Sequence, residues 1–90
     1  MEFGPYESVL NAQLEVVARM NHIFATHQWF EREQTSQHAA ACYITMRMLR
    51  NEWRNLRSVL ARLGRRGNRA NRRWYREYVL PRLHCNAYWI

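Results

Sequence analysis

Arginine is the residue type whose spacing in this sequence most clearly indicates chemistry. Arg47, Arg50, Arg54 and Arg57 recur at intervals of three and four residues. On a helix this spacing places the four side chains along one ridge, about 15 Å from first to last. The planar guanidinium group donates paired hydrogen bonds to phosphate oxygens, and no acidic residue falls in the row. The spacing therefore predicts a surface that binds a polyanion.

The alternative interpretation of this row is a solvated helix face, which is the usual setting for charged residues on helices. A solvated face mixes signs, because opposite charges at i and i+4 stabilise a helix and like charges repel. A row of cations alone is typical of a phosphate contact, since the repulsion is offset when phosphates displace counterions. We therefore favour polyanion binding.

A second group of arginines extends the predicted positive surface toward the C-terminus. It comprises Arg65, Arg66, Arg69, Arg72, Arg73 and Arg76. Trp74 and Tyr75 are interleaved with these cations, as in proteins that stack the bases of single strands on aromatic rings. The helical spacing of Trp74 and Tyr78 instead favours two anchors that pack a third helix onto the rest of the fold.

The overall charge is as uneven as the arginine positions. The 90 residues carry a net charge of +7, and all fourteen basic residues are Arg. Residues 1–38 have a net charge of −3 and residues 39–90 a net charge of +10, which makes the C-terminal half the predicted contact region. Surface charge does not explain the complete lack of Lys and Asp. One hypothesis is that an overlapping reading frame of a compact viral genome constrains the sequence.

The first predicted element is a helix over about 5–34, which begins at Gly4-Pro5. Apolar residues recur at helical spacing along one face, and a second apolar row, Leu10, Leu14, Val17 and Phe24, lies beside it. A face this broad requires more than one neighbour.

Two further helices are predicted. The second covers about 36–63, with Thr35 or Ser36 as its cap and Gly64 as its left-handed end. Its apolar seam alternates steps of four and three through Cys42, Met46, Leu49, Trp53, Leu56, Leu60 and Leu63. The third covers about 68–80, between a capping Asn68 and a terminating Pro81. The apolar tail 82–90 is expected to pack back or to contact a partner.

These elements predict one all-α domain over 1–90, a long antiparallel helical hairpin plus a short third helix. We expect two copies to dimerise into a four-helix bundle, and an intramolecular three-helix bundle is the alternative. The predicted dimer or core residues are Val9, Val16, Met20, Ile23, Phe30, Met46, Leu49, Trp53, Leu56 and Leu60.

Several classes of function are disfavoured by the sequence. With no Asp, no glycine-rich phosphate loop and no recognisable nucleophile motif, we expect no enzyme, no cofactor and no small-molecule substrate. His38 and Cys42 are four residues apart on one helix face, but Cys42 falls in the apolar seam. His84 and Cys85 are adjacent, which is a poor spacing for zinc ligands, so no metal site is predicted. No apolar run approaches the length of a membrane span, and we expect a cytoplasmic protein, with the nucleus as an alternative.

The predicted polyanion is double-stranded RNA. Side chains suited to reading bases are sparse along the arginine row, which favours contacts to the nucleic-acid backbone. Proteins recognise RNA duplexes mostly by shape, through phosphates and 2′-hydroxyl groups. A two-fold dimer would present the row twice, to match successive grooves.

This layout resembles the B2 proteins of nodaviruses over residues 5–80, from the long first helix through the arginine-bearing second helix to the short third one. The resemblance implies a dimeric helical bundle, encoded in an overlapping frame, that binds double-stranded RNA without sequence preference. It implies a viral suppressor of host RNA silencing that shields duplexes from Dicer-type cleavage. On this basis the row from Arg47 to Arg57 contacts the groove and phosphates, and the arginines from Arg65 to Arg76 are flanking contacts.

Two other functions remain open. A small viral or phage regulator of duplex DNA would share the charge and the helices. A basic protein-interaction bundle would instead use its C-terminal half on an acidic partner.

Overall fold

The three predicted helices are present in the computed structural model, which describes residues 5–34, 37–66 and 69–83. Helix α1 spans Pro5–Glu33, helix α2 spans Ala39–Arg66 and helix α3 spans Arg69–Trp74. Helix α3 continues without a break as a π-helical turn, Tyr75–Val79, and a 3₁₀ turn, Leu80–Arg82. These described ranges contain no strand, and the two long helices pack against each other. The prediction of an all-α chain with a long helical hairpin is confirmed.

Helix α2 lies about three residues later in the chain than predicted, at both ends. The amide of Cys42 donates to the carbonyl of His38 at 2.9 Å. The hydrogen bonding of α2 therefore starts at His38, after the predicted caps Thr35 and Ser36. Thr35, Ser36 and the predicted third cap Asn68 lie outside the described residues.

The prediction for Gly64 was wrong. Gly64 does not have a positive φ and lies within α2, which continues to Arg66. It is buried, and a Cβ placed on it would lie 3.8 Å from Nε2 of Gln13 and 4.0 Å from the ring of Tyr75. The helix therefore does not need a left-handed residue here, and Gly64 lies instead where α1 and the third helix approach α2.

The core lies between α1 and α2 and is covered at one end by the third helix. Its buried members are Val17, Met20, Ile23, Trp53, Leu60 and Val79. Of the ten predicted dimer or core residues, Met20, Ile23, Trp53 and Leu60 are buried within one chain, and Val9, Val16, Phe30, Met46, Leu49 and Leu56 are half-buried. The breadth of the α1 face is therefore largely explained inside a single chain, because α2 covers one side of it and the third helix another.

The third helix packs through a different face from the one predicted. Tyr75 is half-buried against the core and Val79 is fully buried, whereas Trp74 and Tyr78 are 50% and 42% exposed. The side-chain amide of Asn21 on α1 donates to the carbonyl of Arg82 at 2.8 Å and fixes the end of this helix. The interpretation of Trp74 and Tyr78 as buried anchors was wrong by one position around the helix.

Pro81 does not stop the third helix at residue 80, because Pro81 lies inside the final 3₁₀ turn. Proline lacks an amide donor, and its ring clashes with the carbonyl four residues earlier in a regular α-helix. The helix avoids this clash by widening before the proline, where the Leu80 amide donates to the Tyr75 carbonyl, and by tightening afterwards, where Leu83 donates to Leu80. Leu83 packs against the core, and the rest of the predicted tail, 84–90, lies outside the described residues.

The molecule is a thin slab with extents of 53 × 26 × 17 Å. Its radius of gyration is 15.7 Å, whereas a globular chain of this length is expected to have about 12 Å. No helix in the described ranges combines the length and the apolar character that crossing a membrane demands. A slab of this shape offers two broad faces.

Candidate nucleic-acid interface

The predicted arginine row lies along α2, where it forms the wall of a groove with the end of α1. Arg47, Arg54 and Arg57 are exposed, and Arg50 is half-buried. This first groove has a volume of about 340 Å³, and its lining combines three of these arginines with residues of α1. The α2 side consists of Tyr43, Met46, Arg47, Arg50, Asn51 and Arg54, and the α1 side of His27, Glu31 and Gln34.

His27 holds Arg50 in place at the base of this groove. Nε of Arg50 donates to Nε2 of His27 at 3.2 Å, and His27 is only 2% exposed. Burial and the neighbouring Arg50 lower the pKa of His27 below its ordinary value of 6.5, and Glu31 acts weakly in the opposite direction. The imidazole is therefore neutral near pH 7 and accepts a hydrogen bond, which orients a guanidinium group that would otherwise sample many conformations.

The sequence alone indicates for His27 no more than an ordinary bundle or interface residue. Its signal was its place in the apolar row of α1, on the face that meets α2. A histidine buried opposite a row of arginines requires a donor, and the arginine supplies one.

Two further grooves continue the first toward the third helix. The second groove, about 330 Å³, is lined by Arg54, Arg57, Ser58 and Ala61. The third, about 600 Å³, is lined by Ala61, Gly64, Arg65, Arg69, Arg72, Tyr75 and Arg76. Arg54 is shared by the first two grooves and Ala61 by the last two. The three grooves therefore form one continuous surface, which we call the basic strip.

The basic strip brings together eight of the ten predicted arginines. Arg73 is not among them, because its Nε donates to the carboxylate of Glu77 at 3.1 Å on another side of the third helix. Arg66 is the last residue of α2, and its side chain lies outside the described residues.

Few acidic groups neutralise the basic strip. In the described ranges Glu31 is the one carboxylate that lines its grooves. The two described ion pairs, Arg19 with Glu52 and Arg73 with Glu77, lie elsewhere and are solvent-exposed, so they contribute little to folding. The strip therefore concentrates positive charge on one side of the slab.

An aromatic ledge occupies the opposite flank of the third helix. We define it as Trp74, Tyr78 and Arg82. The two rings pack edge to face with centroids 5.2 Å apart, and the guanidinium carbon of Arg82 lies 3.9 Å from the centroid of Tyr78. Because both rings are about half exposed, they have area left for a further planar group.

An apolar patch lies on α2 away from the basic strip. It consists of Ile44 and Met48, one helical turn apart, which are 58% and 66% exposed. Exposed apolar side chains surrounded by polar residues are typical of protein contacts.

The predicted absence of a metal site concerns residues that the structure describes only in part. Cys42 is a buried free thiol, whereas His84 and Cys85 lie outside the described residues. Among the described side chains, no three His, Cys or acidic residues are grouped closely enough to hold a metal ion.

Comparison with known proteins found no match to any protein-family model, curated protein or solved structure.

Proposed function

We propose that this protein binds double-stranded RNA through its sugar–phosphate backbone without reading the base sequence, and that it is not an enzyme. The observation that carries the proposal is the continuity of the basic strip from Arg47 to Arg76. Guanidinium groups suit phosphate, and their repulsion across the strip is relieved when phosphates replace counterions.

The breadth of the strip, which spans residues of all three helices, favours RNA over DNA as the duplex. The B-DNA major groove is about 12 Å wide, which admits a single α-helix of about 10–12 Å diameter. The first groove is walled by α1 and the third groove by the third helix, so α2 does not protrude alone. A broad surface of this kind suits the shallow minor groove of an RNA duplex, where phosphates and 2′-hydroxyl groups are within reach.

A homodimer is the second part of the proposal, with the apolar patch inside the dimer contact. The slab is only 17 Å thick, and the patch leaves two large apolar side chains in water. A two-fold pairing of hairpins through this side of α2 would form a four-helix bundle and leave both basic strips outside. Two strips would then contact one duplex.

The biological role follows from binding of this kind and from the resemblance to B2 proteins. A dimer that covers duplex RNA blocks the access of Dicer-type nucleases. The protein would thus act as a viral suppressor of RNA silencing in the host cytoplasm or nucleus.

The test of RNA binding is a competition experiment at fixed salt with RNA duplex, DNA duplex and single strands. The informative variant is Arg50→Gln with Arg54→Gln, and the matched control is Arg19→Gln with Arg73→Gln. Both remove two positive charges, but only the first pair belongs to the basic strip. We expect the strip variant to weaken binding to every RNA sequence alike and to make the plot of log K against log salt shallower by about one per lost contact.

Equal losses in the two variants would mean that net charge alone drives binding, and the strip would not be an interface. Tighter binding of the DNA duplex would support a DNA-binding regulator instead. No affinity for any nucleic acid would favour a protein-interaction bundle.

The test of dimerisation is sedimentation of Met48→Glu. Because Met48 is 66% exposed, the substitution should leave the helical content unchanged but convert the dimer to a monomer. The control is Tyr43→Glu, which changes an equally exposed residue in the first groove. A wild-type protein that sediments as a monomer at high micromolar concentration would overturn this part of the proposal.

A further inference from the structure

The third groove of the basic strip differs from the rest of the strip in the way that its arginines are arranged. Arg65 comes from α2, whereas Arg69, Arg72 and Arg76 come from the third helix. The four side chains therefore approach one cavity from two elements. Its volume of about 600 Å³ lies within the range of small-ligand sites.

We propose that this groove is a subsite for the terminal phosphomonoester of a nucleic-acid strand. The inference rests on the proposed function, since it assigns a separate role to one end of the basic strip. It predicts that the protein distinguishes a phosphorylated strand end from a hydroxyl end, in addition to binding along the duplex.

Charge is the first argument for a terminal phosphate. An internal phosphodiester carries one negative charge, whereas a phosphomonoester carries between one and a half and two near pH 7, because its second pKa is about 6. No described carboxylate lines the third groove, and its four arginines form no ion pair with a described acid. A cavity that concentrates cations is best compensated by a ligand that concentrates negative charge at one point.

A buried polar side chain lies behind the lining of the groove. Gln13 is fully buried, and its side-chain amide forms no hydrogen bond within the described residues. Its Nε2 lies 3.8 Å from the position of a Cβ on Gly64, and Gly64 and Tyr75 both line the groove. Gln13 itself does not line the groove and is closed to solvent, so the contacts that the groove offers a ligand are those of its arginines and Tyr75.

Tyr75 indicates what accompanies the phosphate. Its half-buried ring lies in the wall of the groove, where it provides a surface for the base of the terminal nucleotide. Burial raises the pKa of its hydroxyl above 10, against the smaller opposite effect of Arg57. The hydroxyl is therefore a neutral hydrogen-bond donor at physiological pH.

A free nucleoside monophosphate presents the same phosphomonoester as a strand end. We assign the groove to the strand end because the third groove joins the second at Ala61, so a strand that lies along the arginine row continues into it. Binding of the mononucleotide alone is expected to be weak, since it lacks the contacts made by the rest of the strip.

The experiment compares one RNA duplex with 5′-hydroxyl ends, the same duplex with 5′-phosphates, the same duplex with 3′-phosphates, and a nucleoside monophosphate. Affinities are measured by fluorescence anisotropy at about pH 7.5, where the phosphomonoester is dianionic. We expect a terminal phosphate at one of the two strand ends to strengthen binding on the order of tenfold. The readout is the ratio of the affinities of phosphorylated and unphosphorylated duplex.

Two double variants separate this inference from the proposed function. Arg72→Gln with Arg76→Gln should bring the ratio close to one, with a smaller loss for the hydroxyl-ended duplex. Arg50→Gln with Arg54→Gln should weaken all duplexes and leave the ratio as in the wild type. Circular dichroism is expected to be unchanged in both, because these side chains are exposed or half-buried.

Each outcome distinguishes the two proposals. Tight binding of the hydroxyl-ended duplex with a ratio near one would overturn the subsite and retain the proposed function. Binding of the mononucleotide as tightly as the phosphorylated duplex would overturn the assignment to a strand end. If the Arg72 and Arg76 variant still bound the phosphorylated duplex more tightly than the hydroxyl-ended duplex by the wild-type ratio, the terminal phosphate would be recognised elsewhere, and the inference would be overturned.

Discussion

The first and third grooves of the basic strip show two ways in which a helical protein presents arginine. In the first groove the arginines stand in a row on one straight helix, and a buried histidine orients one of them. In the third groove they come from two helices and line one groove. A row matches a repeating charge such as a nucleic-acid backbone, whereas a cluster in one groove matches a concentrated charge. The same residue type thus serves two recognition problems, depending on whether one element or two present it.

The largest expected effect in this comparison is a charge reversal at Arg54, which belongs to both the first and the second grooves. Arg54→Glu removes a phosphate contact and adds repulsion at the point where the strip is continuous. Duplex affinity should fall on the order of a hundredfold. The control is Arg73→Glu, which makes the same charge change at an exposed residue outside the strip. Similar losses of duplex affinity in Arg54→Glu and Arg73→Glu would show that the arginine row does not act as a binding unit.

The two regions also differ in how far their geometry follows from the sequence. The four arginines of the row lie along α2, where their spacing places them, because α2 is long and its seam residues Trp53 and Leu60 are buried in the core. The third helix is short and contains a π turn, which shifts the register after Trp74. Trp74 with Tyr78 and Tyr75 with Val79 have the same spacing of four residues, so periodicity alone does not decide which of these two adjacent faces packs.

Other features of the interface depend on tertiary contacts that the sequence does not encode locally. The His27 to Arg50 hydrogen bond joins residues 23 apart in the chain, and the shared lining of the grooves requires knowledge of how three helices pack. Glycine is a residue type that commonly ends a helix, but Gly64 lies inside α2, where it is buried next to Gln13 and Tyr75.

The aromatic ledge allows binding of single strands to be separated from binding of duplexes, since it lies on the flank of the third helix opposite the third groove. Replacing both Trp74 and Tyr78 with Ala removes two exposed rings that are suited to stacking on unpaired bases. Affinity for single-stranded RNA should fall by about 1–3 kcal/mol per stacked base, with little change for a blunt duplex. Filter binding with matched single and double strands measures the difference. A selective loss of duplex binding would instead place the ledge in the duplex interface.

Gly64→Ala tests the stability of the third groove, which Gly64 lines. A Cβ at this position would make ordinary van der Waals contacts with Gln13 and Tyr75, and alanine favours a helix over glycine by up to about 1 kcal/mol. The free energy of unfolding in urea should therefore rise slightly. The affinity of the hydroxyl-ended duplex should stay unchanged, because the arginine row is untouched. A destabilised variant would mean that α1 or the third helix approaches Gly64 too closely to accept a Cβ, against the distances of 3.8 Å to Gln13 and 4.0 Å to Tyr75.

The smallest expected effect is a pH dependence confined to the first groove. The pKa of His27 in the folded state lies below its unfolded value of 6.5, because burial and Arg50 disfavour the imidazolium. The unfolded chain therefore binds more protons, so the contribution of His27 to stability is complete above pH 6.5 and is lost as the pH falls from there through the lowered pKa. The charged and titratable groups around the imidazole are Glu31 on α1 and Tyr43, Arg47, Arg50 and Arg54 on α2. Urea unfolding between about pH 5.5 and 7.5, a range in which carboxylates stay ionised, should show this loss.

The matched variants for this prediction are His27→Gln and His22→Gln. Glutamine at position 27 can still accept a hydrogen bond from Arg50 but does not titrate, so the unfolding free energy should lose its slope below pH 6.5. His22 is exposed on α1, and its replacement should leave the slope of the wild type in place. Protonated His27 no longer accepts a hydrogen bond from Arg50, so one arginine of the row loses its fixed orientation. The affinity for duplex RNA should therefore fall in the same pH range. An identical pH profile for wild type and His27→Gln would show that the imidazole neither resists protonation nor orients the row.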